Sequence, residues 1–311
     1  MIFDISETLF SLPLNPCICF NLFKIQRLSA GEKNIAILCN PLAGVGKASR
    51  LAVRLANELQ NKKISFTIFN KEWPADFTGF SEVWIVGGDG TLNYFVNYYP
   101  GIQVPFAVFK GGTGNDFYRL LYKDISLGQQ LQLVLHTPSK PIDAGRCNGK
   151  YFLNIAGIGF EGSVVQSLNG KKKLPGKTSF YITILKKIFF YRSQYYSISD
   201  GNKIYTGNKL MVSVTNGRSA GGGFFISPEA RPDDGLLDVI LIDKLTPLKR
   251  IKYLPVIEKG KHLRLPFVTH FTATRLAIKS DTLMQYHLDG EYGAAHEISI
   301  EIVTHKLRVL Y

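Results

Sequence analysis

Residues 82–93 set the strongest limit on what this chain can fold into. A short apolar run, Val83-Trp84-Ile85-Val86, passes directly into Gly87-Gly88-Asp89-Gly90-Thr91-Leu92-Asn93. A buried strand that ends in paired glycines lets bare backbone come close to a bound group, and Thr91 opens a helix at that point. Backbone amides there suit a phosphate, with the Asp89 carboxylate beside it. Gly-Asp-Gly is also ordinary turn chemistry. The neighbouring loops decide between the two.

From Lys33 to about Ser139, apolar runs at Ile35 to Cys39, Ile64 to Phe69, Val83 to Val86 and Phe106 to Phe109 alternate with helical spacings. The helices are expected over Ala48 to Gln60, Thr91 to Tyr98 and Leu127 to Leu135. Such alternation predicts an α/β layer with a parallel sheet and its ligand loops at the carboxyl ends of the strands. Two further strand ends carry glycine loops: Asn40-Pro41-Leu42-Ala43-Gly44-Val45-Gly46-Lys47-Ala48 and Lys110-Gly111-Gly112-Thr113-Gly114-Asn115-Asp116-Phe117. The first is not a P-loop, because Pro41 stands where the pattern needs glycine and Ala48 where magnesium needs a hydroxyl. Three glycine loops in one sheet are poorly explained as independent tight turns.

Near residue 140 the texture changes. Pro141 to Cys147 and Tyr151 to Ala156 flank Asn148-Gly149-Lys150, a hairpin signal. Strands are expected at Lys209 to Thr215, Leu236 to Ile242, Arg275 to Lys279, Glu297 to Ile302 and Leu307 to Leu310, with helices at Lys177 to Tyr191 and Thr246 to Glu258. This half therefore reads as mainly antiparallel β. The expected organisation is an N-terminal extension (1–32), an α/β domain (33–140) and a β-rich domain (141–311) whose last strands are free to return to the first.

With 37 basic against 24 acidic residues, the formal net charge of +13 favours anionic partners. No block of five like charges and no paired Cys/His spacing argues for nucleic acid. Cys17, Cys19, Cys39 and Cys147 form no zinc or redox pattern and read as reduced thiols of a cytoplasmic protein. The first thirty residues, broken by Asp4, Glu7, Pro13 and Pro16, read as neither a signal peptide nor a spanning helix.

Asn40-Pro41 with Gly44 and Gly46, then Gly87 to Thr91, then Gly112-Thr113-Gly114-Asn115-Asp116-Phe117 resemble, in order and spacing, the catalytic domain of diacylglycerol, sphingosine and ceramide kinases. The resemblance is nearest to the bacterial lipid kinases of that superfamily. It continues through Asp143-Ala144-Gly145, Asn154 to Phe160, Arg231 to Gly235 and Leu288-Asp289-Gly290-Glu291. It implies an ATP- and Mg2+-dependent lipid kinase: an NAD kinase/phosphofructokinase-like α/β domain, a β-sandwich domain and a nucleotide cleft between them.

On that resemblance, Asn40, Pro41, Gly44, Gly87, Gly88, Asp89, Gly90, Thr91, Asn93, Gly112, Thr113, Asn115, Asp116 and Glu291 line the nucleotide. Asp89, Asp116 and Asp143 hold catalytic Mg2+, a task suited to hard oxygen donors. Asp234, with carbonyls of Arg231 and Leu236, holds a structural Mg2+. Asp289 or Glu291 accepts the proton of the lipid hydroxyl. His287 reads as structural. No contact is carried over to Asn70-Lys71-Glu72.

A lipid substrate requires access to a bilayer. Lysines 171–173, 177, 186 and 187 and Arg192 surround Phe180, Tyr181, Ile188, Phe189, Phe190 and Tyr191, a basic and aromatic mixture suited to peripheral docking on anionic lipid. A homodimer is compatible with the sequence. Two other functions share the scaffold: an NAD kinase, and a non-catalytic lipid- or nucleotide-binding protein. Gly157-Ile158-Gly159-Phe160-Glu161-Gly162 matches a dinucleotide fingerprint, but no acidic strand end follows it at the required distance. It is expected to be a turn into a helix.

Overall fold

Alternating apolar and helical segments of the first half form a layered α/β unit. The computed structural model describes residues 33–169 and 178–311. The expected extension, with Cys17 and Cys19, and the basic residues Lys171, Lys172, Lys173 and Lys177 lie outside the described residues. Strand β1 (Asn34–Cys39) pairs in parallel with β2 (Ser65–Phe69) and β3 (Glu82–Gly87), and β3 with β4 (Phe106–Lys110). The near-continuous apolar character of β1, β3 and β4 follows from burial on both faces.

Helix α1 (Lys47–Asn61) buries Ala48, Ala52, Leu55, Ala56 and Leu59, a single stripe at helical spacing. Helix α2 (Asp89–Tyr98) leaves β3 through Gly88, and α3 (Asp116–Tyr122) leaves β4 through Asn115. Helix α4 (Leu127–His136) starts at a capping box of Ser126 and Gln129.

The second half opens with β5 (Lys140–Cys147) and β6 (Lys150–Phe152), joined by the expected Asn-Gly turn. The run expected as one strand to Ala156 breaks after Phe152. The amides of Leu153, Asn154 and Ile155 donate to the Asp289 carboxylate, so they cannot extend the hairpin. A separate strand, β7 (Ile155–Gly159), then pairs with other partners.

Helix α5 (Phe160–Leu168) grows directly from the glycine-rich match at 157–162. There Gly159 has φ +86°, and a Cβ on Gly162 would lie 2.2 Å from the Gln285 carbonyl. These glycines serve a sharp turn and a close helix-to-strand contact.

Beyond the gap come α6 (Thr178–Phe190), β8 (Gln194–Ser199), β9 (Ile204–Thr215), β10 (Leu237–Asp243), α7 (Pro247–Glu258), β11 (Val268–Ala273), β12 (Arg275–Leu288) and β13 (Glu291–Val309). Strands β8 and β11 and helix α3 had no separate signature in the sequence. The expected strand at Arg275 is only the start of β12. Those expected at 297–302 and 307–310 are one strand, β13, kept continuous across an irregularity between Val303 and Leu307.

Strands β7 and β8 each bridge β9 to β12, using different stretches of those two long strands. Cross-strand pairing in this half is antiparallel throughout. The thirteen strands of the described residues form one hydrogen-bonded network, because β13 pairs with β12 and β5 and reaches β4 at Val309.

Three cores result. The first lies in the α/β layers and includes Leu307, Val309 and Leu310 from the chain's end. The second fills the interior among β5 to β13. The third lies between the β7, β9 and β10 face and the helices α5, α6 and α7.

Candidate active site

Three glycine loops meet at the carboxyl ends of β1, β3 and β4. A Cβ on Gly44 would sit 2.2 Å from the Gly111 carbonyl, and one on Gly112 2.4 Å from Gly88 Cα. Only glycine allows backbone to touch backbone this closely. The loops are tied together by Gly111 N–H donating to Gly87 O at 2.7 Å and by Asn40 Nδ2 donating to Thr91 Oγ1 at 3.0 Å. Asn115 adopts φ +56° and clasps both backbone groups of Gly112 at 2.9 Å.

Asp89, in the first turn of α2, accepts from the amides of Asp116 and Phe117, both at 3.0 Å. It therefore caps α3 from a neighbouring helix. Burial first, then the adjacent Asp116, pushes Asp89 up to about 6. Asp116 forms an ion pair with Arg119 and accepts from Ser219 Oγ at 3.1 Å and Gly222 N at 2.7 Å. These bonds tie the third loop to the connection that follows β9.

Asp289 sits at the turn between β12 and β13, with φ +50°. It accepts from Leu153 N at 2.6 Å, from Asn154 N and Ile155 N at 2.9 Å each, and from Asn93 Nδ2 at 3.3 Å. Burial raises its pKa against the pull of those four donors. Glu291 is exposed, and its carboxylate makes no hydrogen bond among the described residues. His287, which burial holds down at about 4, accepts from Gly290 N at 3.2 Å and is neutral.

Asp143 is placed elsewhere. Its carboxylate accepts from Gly235 N at 2.8 Å and His305 N at 2.7 Å, and its own amide donates to Pro232 O. Its neighbours are thus the 231–236 turn and the irregular stretch of β13, where Leu236 N donates to Asp234 Oδ1 at 3.1 Å. Burial and the nearby Asp238, Asp143 and Asp233 raise the Asp234 pKa. Among the described residues, no group of three or more His, Cys, Asp or Glu side chains is arranged to enclose a metal ion.

Two cavities adjoin this centre. A groove of about 970 Å³ is lined by Asn40, Pro41, Gly44, Gly88 to Thr91, Gly112 to Gly114 and Glu291. Its other wall, Asn70, Lys71, Glu72, Trp73, Tyr94 and Tyr98, was not expected from the sequence. Aromatic packing between Trp73 and Tyr94, and between Tyr94 and Tyr98, is the signal that marks it. Lys47 does not line the groove.

The second cavity, about 560 Å³, starts at Asp89, Thr113, Asp116, Asp289 and Glu291 and runs between α5, α6, α7 and the sheet. Its deep walls are apolar, among them Phe160, Val164, Ile184, Leu210, Met211 and Leu254. Glu161 and Arg250 also line it, and the sequence assigned neither a functional role.

A three-loop α/β layer joined to an antiparallel β half, with buried carboxylates where a polar groove meets an apolar tunnel, defines a two-part transferase-like site. The family model for the diacylglycerol kinase catalytic domain matches residues 34–147, and that for the YegS C-terminal NAD kinase beta sandwich-like domain matches 154–311.

A probable YegS-like lipid kinase of Shewanella frigidimarina is 30% identical over 243 residues, covering 76% of this chain and 77% of that protein. A diacylglycerol kinase of Bacillus subtilis is 29% identical over 220 residues, covering 69% and 72%. The fold is that of a putative diacylglycerol kinase crystallised from Bacillus anthracis, with a TM-score of 0.71 over 91% of this chain and 98% of that one at 23% identity. The chain belongs to the bacterial diacylglycerol kinase-like lipid kinase superfamily.

Proposed function

We propose that the protein transfers the γ-phosphoryl group of ATP to a hydroxyl of diacylglycerol or a related lipid. The observation that carries this reading is the apolar cavity that starts at the Asp89, Asp116, Asp289 and Glu291 cluster, beside a polar groove. An NAD kinase would need a polar second cavity for its dinucleotide. The apolar lining favours an acyl chain instead.

Backbone amides of the glycine loops suit the phosphates, and Trp73, Tyr94 and Tyr98 offer faces on which a purine can stack. Magnesium usually binds through one or two carboxylates together with substrate phosphates, keeping several waters. Asp89 and Asp116, two crowded carboxylates, fit a cation that arrives with the nucleotide. When bound, Mg2+ would neutralise charge building on the transferring group. Asp143 is assigned to the 231–236 turn, where with Asp234 it suits a structural cation.

Asp289 lines only the lipid-side cavity, and its orientation is fixed by three backbone amides. We assign it the proton acceptor, the substrate hydroxyl replacing its longest partner, Asn93. Glu291 lines both cavities and is assigned to the nucleotide side.

The exposed faces of α6 and α7 carry Leu185, Phe189, Phe190 and Leu248 beside Lys186, Lys249 and Lys252, and suit reversible docking on an anionic bilayer. No described helix is long and apolar enough to cross a membrane.

The test is incubation with labelled ATP, Mg2+ and separate lipids in mixed micelles. Label should pass to a lipid hydroxyl. Transfer to NAD and to no lipid would overturn the reading.

A further inference from the structure

Of the polar side chains that line the apolar cavity away from the carboxylate cluster, Arg250 and His287 are committed to the fold. Arg250 donates to the carbonyls of Leu245 and Ile188 at 2.9 Å and Tyr191 at 2.8 Å, closing the carboxyl end of α6. His287 Nδ1 is taken by the Gly290 amide. Glu161, in the first turn of α5, is different. Its Oε2 accepts from Ser213 Oγ at 2.7 Å, and its Oε1 has no hydrogen-bond partner among the described residues. A carboxyl group offers about four lone-pair positions, so one hydroxyl leaves it largely unsatisfied.

Gly157 is what makes room for this group. A Cβ there would lie 2.7 Å from Glu161 Oε2 and 2.5 Å from His287 Nε2, so any side chain would displace both. Glu161 is only half-buried by surface, yet burial pushes it up to about 7. It is a cavity-lining residue, so the surface it retains belongs to the cavity. Ser213 holds Oε2 as an acceptor, which leaves Oε1 as the oxygen to carry the acid proton. The geometry leaves one carboxyl oxygen without a protein partner in an apolar wall, where burial favours the protonated, donating form.

We propose that Glu161, oriented by Ser213, is a specificity-determining residue that hydrogen-bonds an ester carbonyl of a neutral glycerolipid while the free hydroxyl lies at Asp289. This inference rests on the lipid kinase reading and names the second point at which that substrate is held. A site built around such a donor discriminates against an analogue lacking the acceptor, because the buried polar group is then left unpaired.

The experiment compares kcat and KM for a diacylglycerol and for the dialkyl ether glycerol of equal chain length, in mixed micelles, using wild type, Glu161→Gln and Glu161→Leu. In wild type the ether should lose about tenfold or more in kcat/KM, chiefly through KM. Glu161→Gln, which keeps a donor, should preserve most of that ratio. Glu161→Leu should reduce it to near unity, with KM for ATP unchanged. Equal ether penalties in wild type and Glu161→Leu, or a parallel rise in KM for ATP, would overturn the assignment. Wild type that phosphorylates neither lipid would instead overturn the kinase reading itself.

Discussion

Asp289 and Glu291 are two residues apart, yet their surroundings give them different work. Replacing Asp289 by Asn removes the proposed proton acceptor while keeping its size, and kcat should fall by about 10²- to 10⁴-fold. Glu291→Gln should act mainly on KM for ATP. Steady-state kinetics with both substrates varied separates the two, and a kcat loss confined to Glu291→Gln would reverse the assignment.

Glu161 and His287 carry opposite pH signatures. Glu161 is raised from 4.5 to about 7, so the folded state binds more protons and stability declines as pH rises from about 4.5 to 7. His287 is lowered from 6.5 to about 4, so stability declines as pH falls from about 6.5 to 4. Where these windows overlap the slopes oppose each other. Urea melts across pH 4.5–7 should show Glu161→Gln gaining stability relative to wild type toward neutrality and His287→Asn gaining it relative to wild type toward acid. Identical profiles for the two variants would contradict this. The glycine loops were readable because composition alone announces backbone contact. The partners of Asp143 were not, because one carboxylate's position in a sequence does not say which turn will supply its donors.

At the scale of elements, α6 and α7 form the outer wall of the apolar cavity. Arg250 locks the two together through the carbonyls of Ile188 and Tyr191 at the end of α6, which suits a wall proposed to dock on a bilayer. Phe190 is 83% exposed and Leu248 78%, values that are costly unless something covers them. Co-sedimentation with vesicles containing anionic lipid should weaken for Phe190→Ser and for Lys186→Glu, each by several-fold, with the lysine's contribution lost at high salt. Unchanged sedimentation of both variants would remove these helices from the docking surface. Helix α6 could be anticipated from its aromatic and basic pattern. Strand β8 was not anticipated, because its alternation covers only Tyr196 to Ser199, with two apolar residues, and it gains its partners only from the distant β9 and β12.

Across the whole molecule, β13 joins what the sequence divides. Its first residues follow the Asp289-Gly290 turn, and its last ones complete the core of the α/β half. Leu307 and Val309 are wholly buried and Leu310 is 4% exposed. Removing residues 307–311 exposes a hole worth roughly 5–9 kcal/mol, comparable to the entire stability of a typical domain. Circular dichroism and expression of the truncated chain should show loss of cooperative folding, and a stable product with a normal melt would refute the dependence. Antiparallel pairing begins with β5, near the change in texture at 140. That change does not mark where the first core ends, because that core borrows β5 and the end of β13, and such long-range pairings leave no local pattern. A ribosome adds roughly 5–20 residues each second. For about 10–30 s after the first half has been made, then, its final strand does not yet exist, and the nascent chain must hold an incomplete apolar sheet until β13 has been made.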